Sequence, residues 1–281
     1  MNISAADLRL QLLSIRNETI AALTGTDNSE QTASFADILG LAGNGLSDDR
    51  GSTGRNLGLR DPEAAYSMMT KINRWEVDFK AQYAELDAMR TGLEHMEAVG
   101  GALAGIEAGD ADAAITQRLQ SFVDEYNAWE DRFDDAVAQG GVLDDVQAAE
   151  VALHALEVSL SSIFHGAAEG VRGLGELGIA IDPVTKQASL DTSKLETTLA
   201  SNRAGAMAAI DAFSAHFAKS ADLLNAEDNF MAHALDNRSR AIAYIADNHA
   251  GWQQEFGTGQ AAEPTGATAQ ALAAYEGMFA I

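Results

Sequence analysis

A glycine-rich run of the G-x-G-x-x-G type could bind the phosphates of a nucleotide. Gly173, Gly175 and Gly178 have this spacing within the stretch GLGELG. Such a turn binds pyrophosphate when it follows a buried strand and opens a helix, whose amino end then faces the phosphates. Here the order is reversed, because a helical pattern over 145–164 precedes the glycines and the β-branched stretch 179–181 follows them. We therefore expect no nucleotide site, and we interpret the glycines as part of a chain reversal.

Histidines and carboxylates are the other side chains that could hold a metal ion or transfer protons. No two of the six histidines are three or four residues apart, so a helical metal clamp is not expected. The acidic run DEYNAWEDRFDD over 124–135 lacks the spacing of a calcium loop, and we interpret it as the solvated face of a helix. The sequence also has no cysteine, no G-x-S-x-G motif and no Walker lysine. We predict no catalytic, cofactor-binding or metal-binding residues, and a protein that is not an enzyme.

The charge of the chain bears on its partners. Eighteen lysines and arginines stand against 42 aspartates and glutamates, which gives a net charge of −24 at pH 7. Such a chain repels phosphate backbones and anionic lipids, so we expect neither nucleic acid nor a membrane as a partner. No apolar stretch approaches the ~20 residues of a membrane span, and the N-terminus lacks the pattern of a cleavable signal peptide.

The elements that must position any site are predicted to be helices. An amphipathic helix is predicted over 5–23, followed by a flexible linker over 24–60 that is rich in Gly, Ser, Asn and Asp. Asp61, followed by Pro62, is predicted to cap a long helix, which ends or is interrupted at Gly100-Gly101. Its apolar residues form a near-heptad seam. They are Ile72, Trp75, Phe79, Tyr83, Leu86, Met89, Leu93 and Met96.

Further helices are predicted along the rest of the chain. One is capped by Asp110 and ends at Gly140-Gly141, and Trp129 and Phe133 on its seam are expected to be buried. The others are predicted over 145–164, from Asp191, from Asn202, over 226–256 and over 268–280. Between them, 179–181 and 188–190 are predicted to pair as a β-hairpin whose turn opens at Asp182-Pro183.

These elements predict a mainly α protein, an elongated antiparallel bundle of long, coiled-coil-like helices with one small β-hairpin. Three regions follow from the pattern. Residues 1–60 hold the N-terminal helix and its linker, 61–256 form the bundle with the hairpin near 179–190, and 257–281 form a flexible tether and a C-terminal helix.

Both terminal helices carry apolar residues at helical spacing, which makes them candidate partner-binding surfaces. The residues concerned are Leu8, Leu12 and Ile15 near the N-terminus and Leu272, Tyr275 and Phe279 near the C-terminus. A helix as short as 268–280 is marginal in water alone, so it must dock on something. Docking on another subunit and docking on its own bundle both remain open.

A family resemblance is found in residues 173–202, GLGELGIAIDPVTKQASLDTSKLETTLASN. This stretch resembles the C-terminal region of bacterial flagellar filament-capping proteins, the hook-associated protein 2 family. The residues that match in order and spacing are Leu177, Gly178, Ile179, Asp182, Leu190, Asp191, Lys194 and Leu195. Upstream, FVDEYNAWEDRF at 122–133 is similar to the family's helix with a Phe-Val-x-x-Tyr-Asn core. The resemblance covers roughly 115–281 and implies a divergent or shortened relative.

The resemblance implies a structural or assembly component of the bacterial flagellum. Such a protein would be exported without a cleavable signal, act outside the cell, form homo-oligomers, and contact flagellin or hook–filament junction proteins. Terminal helices would supply the docking surfaces, and no cofactor would be needed. The alternative is a cytoplasmic helical binding module with a cap-like fold, such as a flagellar export chaperone or regulator.

Overall fold

The computed structural model describes residues 61–161 and 170–280. The helix predicted over 5–23, with Leu8, Leu12 and Ile15, and the linker predicted over 24–60 lie outside this part. Within it the protein is mainly α with one small antiparallel β-hairpin, as the sequence predicted. The elements in chain order are α1 (Pro62–Ala102), α2 (Asp112–Val137), α3 (Gln147–Ser161), β1 (Ile179–Ile181), β2 (Ala188–Leu190), α4 (Thr192–Asn225), α5 (Phe230–Phe256) and α6 (Gly266–Phe279).

The long helix α1 is the element against which most of the others pack. Its first turn is closed by the Asp61 carboxylate, which accepts a hydrogen bond from the Ala64 amide at 3.0 Å, and Pro62 occupies the first helical position. With 41 residues it is about 60 Å long. The predicted seam faces its neighbours, since Ile72, Phe79, Leu86, Met89, Leu93 and Met96 are buried, and Trp75 and Tyr83 are half-buried.

Helices α4 and α5 follow one another along α1, and both run antiparallel to it. As their residue numbers rise, those of the facing α1 residues fall. The pairs that show this order are Ser214 with Gly100, Asn225 with Arg90, Arg238 with Gln82, and His249 with Asn73. The C-terminal helix α6 then turns back and runs parallel to α1, because Thr268 lies near Thr70 and Tyr275 lies on Tyr83.

An aromatic part of the core lies between α1, α2 and α4. Phe122 of α2 meets Phe213 and Phe217 of α4 edge to face, with ring centroids 5.3 and 5.2 Å apart. Trp129 and Phe133 are buried in the same core, which confirms the predicted seam of this helix. Edge-to-face rings add attraction to the burial of their area, so these aromatic side chains hold the three helices together.

Gly100 serves packing, and it also lies at the end of the helix, as the sequence suggested. Helix α1 continues to Ala102, and a Cβ atom on Gly100 would lie 2.4 Å from Cδ1 of Phe217. The missing side chain therefore allows the Phe217 ring to lie against the helix backbone. The buried Ser214 hydroxyl sits at the same place, donating to the Gly100 carbonyl at 2.8 Å and accepting from the Ala104 amide at 3.2 Å. Tertiary contacts with α4 thus close the end of α1.

The substitution Gly100→Ala should destabilise the protein by about 1–3 kcal/mol, the usual cost of overpacking a core. This cost opposes a gain of up to about 1 kcal/mol from the better helix propensity of alanine. Gly101→Ala is the matched control, because its Cβ would lie 3.8 Å from Ala218 Cβ, an ordinary contact. Urea unfolding should show Gly100→Ala less stable than the parent and Gly101→Ala at least as stable. Equal stability of the two variants would contradict the packing role of Gly100.

Two predicted helix caps have different outcomes. Asp110 does not cap α2, which begins at Asp112 with no side-chain cap at Ala111. The Asp110 carboxylate instead accepts from the Glu107 amide at 3.1 Å and so closes the loop before the helix. Asn202 does cap a helix, as predicted. It lies at a kink within α4, with φ of −150°, and its side-chain oxygen accepts from the Gly205 amide at 3.0 Å.

Candidate functional site

The hairpin that contains the residues of the family resemblance has the two strands predicted from the sequence. Ile179 pairs with Leu190, Ala180 with Ser189, and Ile181 with Ala188. Ile179 and Ala188 point into the protein and are buried, so the hairpin attaches to the helices through one face.

The turn of the hairpin is organised by Asp182. Its side-chain oxygen accepts hydrogen bonds from the amides of Val184 at 2.8 Å and Thr185 at 2.9 Å, as an Asx turn does. These bonds favour the ionised carboxylate and hold the pKa of Asp182 below its ordinary value. The Lys186 amide donates to the Asp182 carbonyl at 2.9 Å and closes the turn.

The glycines before the hairpin allow a close chain reversal. Gly178 has φ of 93°, and a Cβ atom there would lie 2.4 Å from the carbonyl oxygen of Asp191. The two chains approach so closely because the Asp191 amide donates to the Gly178 carbonyl at 2.8 Å. Gly173 also has a positive φ, of 153°, whereas a Cβ on Gly175 would meet nothing within 4 Å. Gly178 is therefore the glycine that the reversal requires.

The remaining residues of the resemblance join the hairpin to α4. Asp191 caps this helix, since its side-chain oxygen accepts from the Lys194 amide at 3.0 Å. Leu177 and Leu195 are fully buried on either side of the hairpin and belong to the main core. Leu190 is half-buried, and the Lys194 side chain is exposed. The motif as a whole is a folding unit of reversal, strand, turn, strand and capped helix.

Asn127 of α2 holds the hairpin, a role that was not predicted from the sequence. Its side-chain oxygen accepts from the Ala188 amide at 2.7 Å, and its side-chain nitrogen donates to the Ala188 carbonyl at 2.9 Å. Both backbone groups of one strand residue are thus paired by one amide side chain, as a neighbouring strand would pair them. The Tyr-Asn pair in the stretch FVDEYNAWEDRF was the signal that could have identified Asn127.

The substitution Asn127→Ala should destabilise the protein by about 2 kcal/mol, because it leaves the amide and carbonyl of the buried Ala188 without partners. Asn127→Asp is informative beside it, since an ionised carboxylate accepts from the amide but cannot donate to the carbonyl. The parent should have a higher melting temperature in thermal unfolding than either variant. Asn237→Ala, an exposed position on α5, is the control and should change stability by less than about 0.5 kcal/mol. A parent-like Asn127→Ala would show that Asn127 does not hold the hairpin.

Two further side-chain bonds fasten the hairpin turn to α2 and α3. The Lys186 ammonium donates to the Glu157 carboxylate of α3 at 2.8 Å. The Gln187 side-chain amide donates to the Asp131 carboxylate of α2 at 2.7 Å. Each bond is partly exposed, so each contributes little alone, but together with Asn127 they fix the hairpin in one position.

The acidic run of α2 is not wholly solvated, which corrects the interpretation made from the sequence. Glu130 is only 4% exposed, and its Oε2 atom has no hydrogen-bond partner among the described residues. Burial raises the pKa of Glu130 to about 7, helped by the negative charges of Asp134 and Glu157 and opposed by Lys186. Burial also raises the pKa of Tyr126, one helical turn away. The spacing 126, 130, 133 places Glu130 on the apolar seam, and this was the signal available in the sequence.

Helix α2 is itself positioned on α1 by an ion pair. The Arg132 guanidinium contacts both oxygens of the Glu85 carboxylate, with Nη2 and Oε2 2.9 Å apart. Glu85 is buried and Arg132 is exposed along part of its length, with its guanidinium 4.9 Å from the centre of the Phe133 ring. A bidentate pair fixes orientation as well as distance, so the face of α2 that carries Asn127 and Glu130 is held toward the hairpin.

The predicted C-terminal docking residues lie on the bundle of their own chain. Tyr275 meets Tyr83 edge to face with ring centroids 5.7 Å apart, and Phe279 lies 6.3 Å from the same ring. Leu272 and Tyr275 are half-buried, whereas Phe279 remains 57% exposed and its neighbour Met278 44% exposed. The last turn of α6 therefore keeps an apolar end that its own chain does not cover within the described residues.

The segment between α5 and α6 is hydrogen-bonded to α1, in contrast to the flexible tether expected from its composition. The Asn73 side chain donates to the carbonyls of Thr258 at 3.0 Å and Gln260 at 2.8 Å. The Gln260 amide donates to the Thr70 hydroxyl at 2.8 Å. Gly259, with φ of 60°, lets the two backbones touch, because a Cβ there would lie 2.6 Å from the Thr70 nitrogen. Polar side chains of α1 thus supply an order that composition does not reveal.

Neither a metal site nor a membrane span is found in the described part of the chain. Residues 61–161 and 170–280 hold no group of three or more histidines, aspartates or glutamates placed to bind a metal ion. None of their helices combines the length and the apolar character needed to cross a bilayer. The structure does show a hairpin that side chains of α2 and α3 hold in place, and long helices that pack against one another.

Comparisons of the chain with protein-family models, with curated proteins and with solved structures found no match.

Proposed function

We propose that this protein is a structural and assembly component of the bacterial flagellum, similar to the filament cap. The observation that carries the proposal is the folding unit over 173–202, where the residues of the resemblance have consistent roles. Gly178 allows the reversal, Asp182 organises the turn and Asp191 caps α4. The Tyr-Asn motif of α2 supports the proposal independently, because Asn127 binds the same hairpin.

In this proposal the work of the protein is association and requires no bond-breaking chemistry. Copies of the chain form a homo-oligomer through helical surfaces and contact flagellin or hook–filament junction proteins. The apolar end of α6, with Met278 and Phe279 exposed, is the candidate contact within the described residues. Apolar side chains that remain exposed on a helix end are suited to a groove on another subunit. The site of action is extracellular.

The second candidate is a cytoplasmic helical binding module, an export chaperone or regulator with a cap-like fold. It rests on the same hairpin and helices, because a fold does not fix a function. The two candidates differ in where the protein works, so localisation separates them.

The test is to follow an epitope-tagged chain in its native host with the flagellar export apparatus intact and disabled. We expect the protein in the culture medium and at filament tips only when the apparatus is intact. A cytoplasmic reporter protein of similar size serves as the lysis control. Retention of the chain in the cytoplasm of both strains would overturn the proposal and favour the export chaperone or regulator.

A further inference from the structure

The junction of α2, α3 and the hairpin turn concentrates acidic groups around one buried carboxyl group. Glu130 is buried there, and Asp131 and Asp134 lie beside it on the same helix. From α3 it faces Glu157, and from the turn it faces Lys186. Four carboxyl groups thus surround one ammonium group.

The ammonium group of this junction is already paired with another carboxylate. Lys186 Nζ lies 2.8 Å from Glu157, and the Nδ1 atom of His154 lies 3.6 Å from the same carboxylate. On α1, Glu85 is paired with Arg132, which is two residues from Glu130 and so on another side of α2. Within 61–161 and 170–280 no ion pair joins Glu130, and its Oε2 atom accepts no hydrogen bond. A negative charge on Glu130 would therefore be both dehydrated and repelled.

We propose that this junction is a proton-dependent latch, which holds the hairpin on α2 and α3 while Glu130 is neutral and loosens it when Glu130 ionises. The proposal concerns regulation within the fold and stands whether or not the protein works at the flagellum.

The hairpin turn is the part that moves away from α2 and α3 when Glu130 becomes charged. Beside the burial of Ile179 and Ala188, the hairpin is held by Asn127 and by the Lys186–Glu157 and Gln187–Asp131 bonds, the last two being partly exposed. Helix α2, in contrast, is held by the aromatic core around Phe122. Lifting the turn would admit water to Glu130 at a smaller cost than moving α2. A pKa of about 7 for this group means that the transition falls near neutral pH.

Hydrogen exchange of the full chain at pH 5.5 and 8.5, corrected for the intrinsic pH dependence of exchange, tests the latch. The reporter is the Ala188 amide, which donates to Asn127. If opening returns Glu130 to its ordinary pKa of 4.5, linkage predicts that the protection of this amide falls roughly 30-fold between these pH values. Amides in the middle of α1, around Met89, report global unfolding and should be better protected than the Ala188 amide at both pH values.

Three variants decide the assignment to Glu130. Glu130→Gln and Glu130→Met are both neutral at every pH, so each should lose the pH dependence of the Ala188 amide, and either suffices if the other folds poorly. Glu150→Gln, at an exposed position of α3, is the matched control and should retain the full change. Three results would each overturn the latch. They are a parent protein without the pH dependence, an unchanged dependence in the Glu130 variants, and an Ala188 amide as well protected as those in the middle of α1.

Discussion

Replacing Phe122 with alanine should lower the free energy of unfolding by about 3–5 kcal/mol, the largest effect that we expect from one substitution. The side chain is 1% exposed and contacts two further buried rings, Phe213 and Phe217, edge to face. Truncation removes its buried area and leaves a cavity between α1, α2 and α4 that helices held at both ends cannot fill by relaxing.

Phe279→Ala is the matched control for this substitution, since it makes the same chemical change at a position that is 57% exposed. It should cost less than about 1 kcal/mol. Urea unfolding of the parent and both variants, fitted with one common m-value, gives the two changes in the free energy of unfolding. A Phe122→Ala cost near that of Phe279→Ala would show that the aromatic cluster does not form the centre of the core.

The free energy of unfolding of Glu130→Gln minus that of the parent should increase by about 3 kcal/mol between pH 4 and pH 9. The pKa of Glu130 is raised from 4.5 in the unfolded chain to about 7 in the folded protein. The folded protein therefore binds a proton that the unfolded chain releases. This contribution to stability is fully present below pH 4.5 and is lost as the pH rises through about 7. Glutamine stays neutral, so the variant does not lose it.

The measurement is the unfolding free energy of both proteins at several pH values, and the quantity of interest is their difference. Taking the difference removes the contributions of other groups, such as Asp182, whose lowered pKa acts in the opposite direction. Glu150→Gln should give a difference that does not vary with pH by more than about 0.5 kcal/mol. A flat difference for Glu130→Gln would mean that Glu130 is ionised in the folded protein without cost.

Elements whose cause is local were predictable from the sequence. The cap at Asp61, the hairpin turn at Asp182, the cap at Asp191 and the cap at Asn202 each depend on a side chain and backbone groups within three residues. The apolar seams were equally readable, because helical spacing places such residues on one side. The mainly α fold with one hairpin follows from these signals alone.

Features whose cause lies elsewhere in the chain were not predictable in this way. The packing role of Gly100 was not visible, because the Phe217 ring that requires it is more than 100 residues away. Asn127 and Ala188 are 61 residues apart, so their two hydrogen bonds leave no local pattern. Glu130 was assigned to the solvated face by its neighbours in sequence, although its spacing from Phe133 placed it on the seam. Composition likewise suggested a free segment before α6, where Asn73 and Thr70 hold it.

The arrangement of α4, α5 and α6 along α1 has a consequence for the synthesis of the protein. The contacts of α1 with Ser214 and Gln260 span 114 and 187 residues of chain. At roughly 5–20 residues per second, a ribosome finishes α1 on the order of ten seconds or more before its last partners emerge. During this interval α1 presents an apolar seam that α4, α5 and α6 do not yet cover, which is the kind of surface that chaperones bind. A nascent chain that stops before α4 cannot bury that seam, so the bundle forms only when translation is nearly complete.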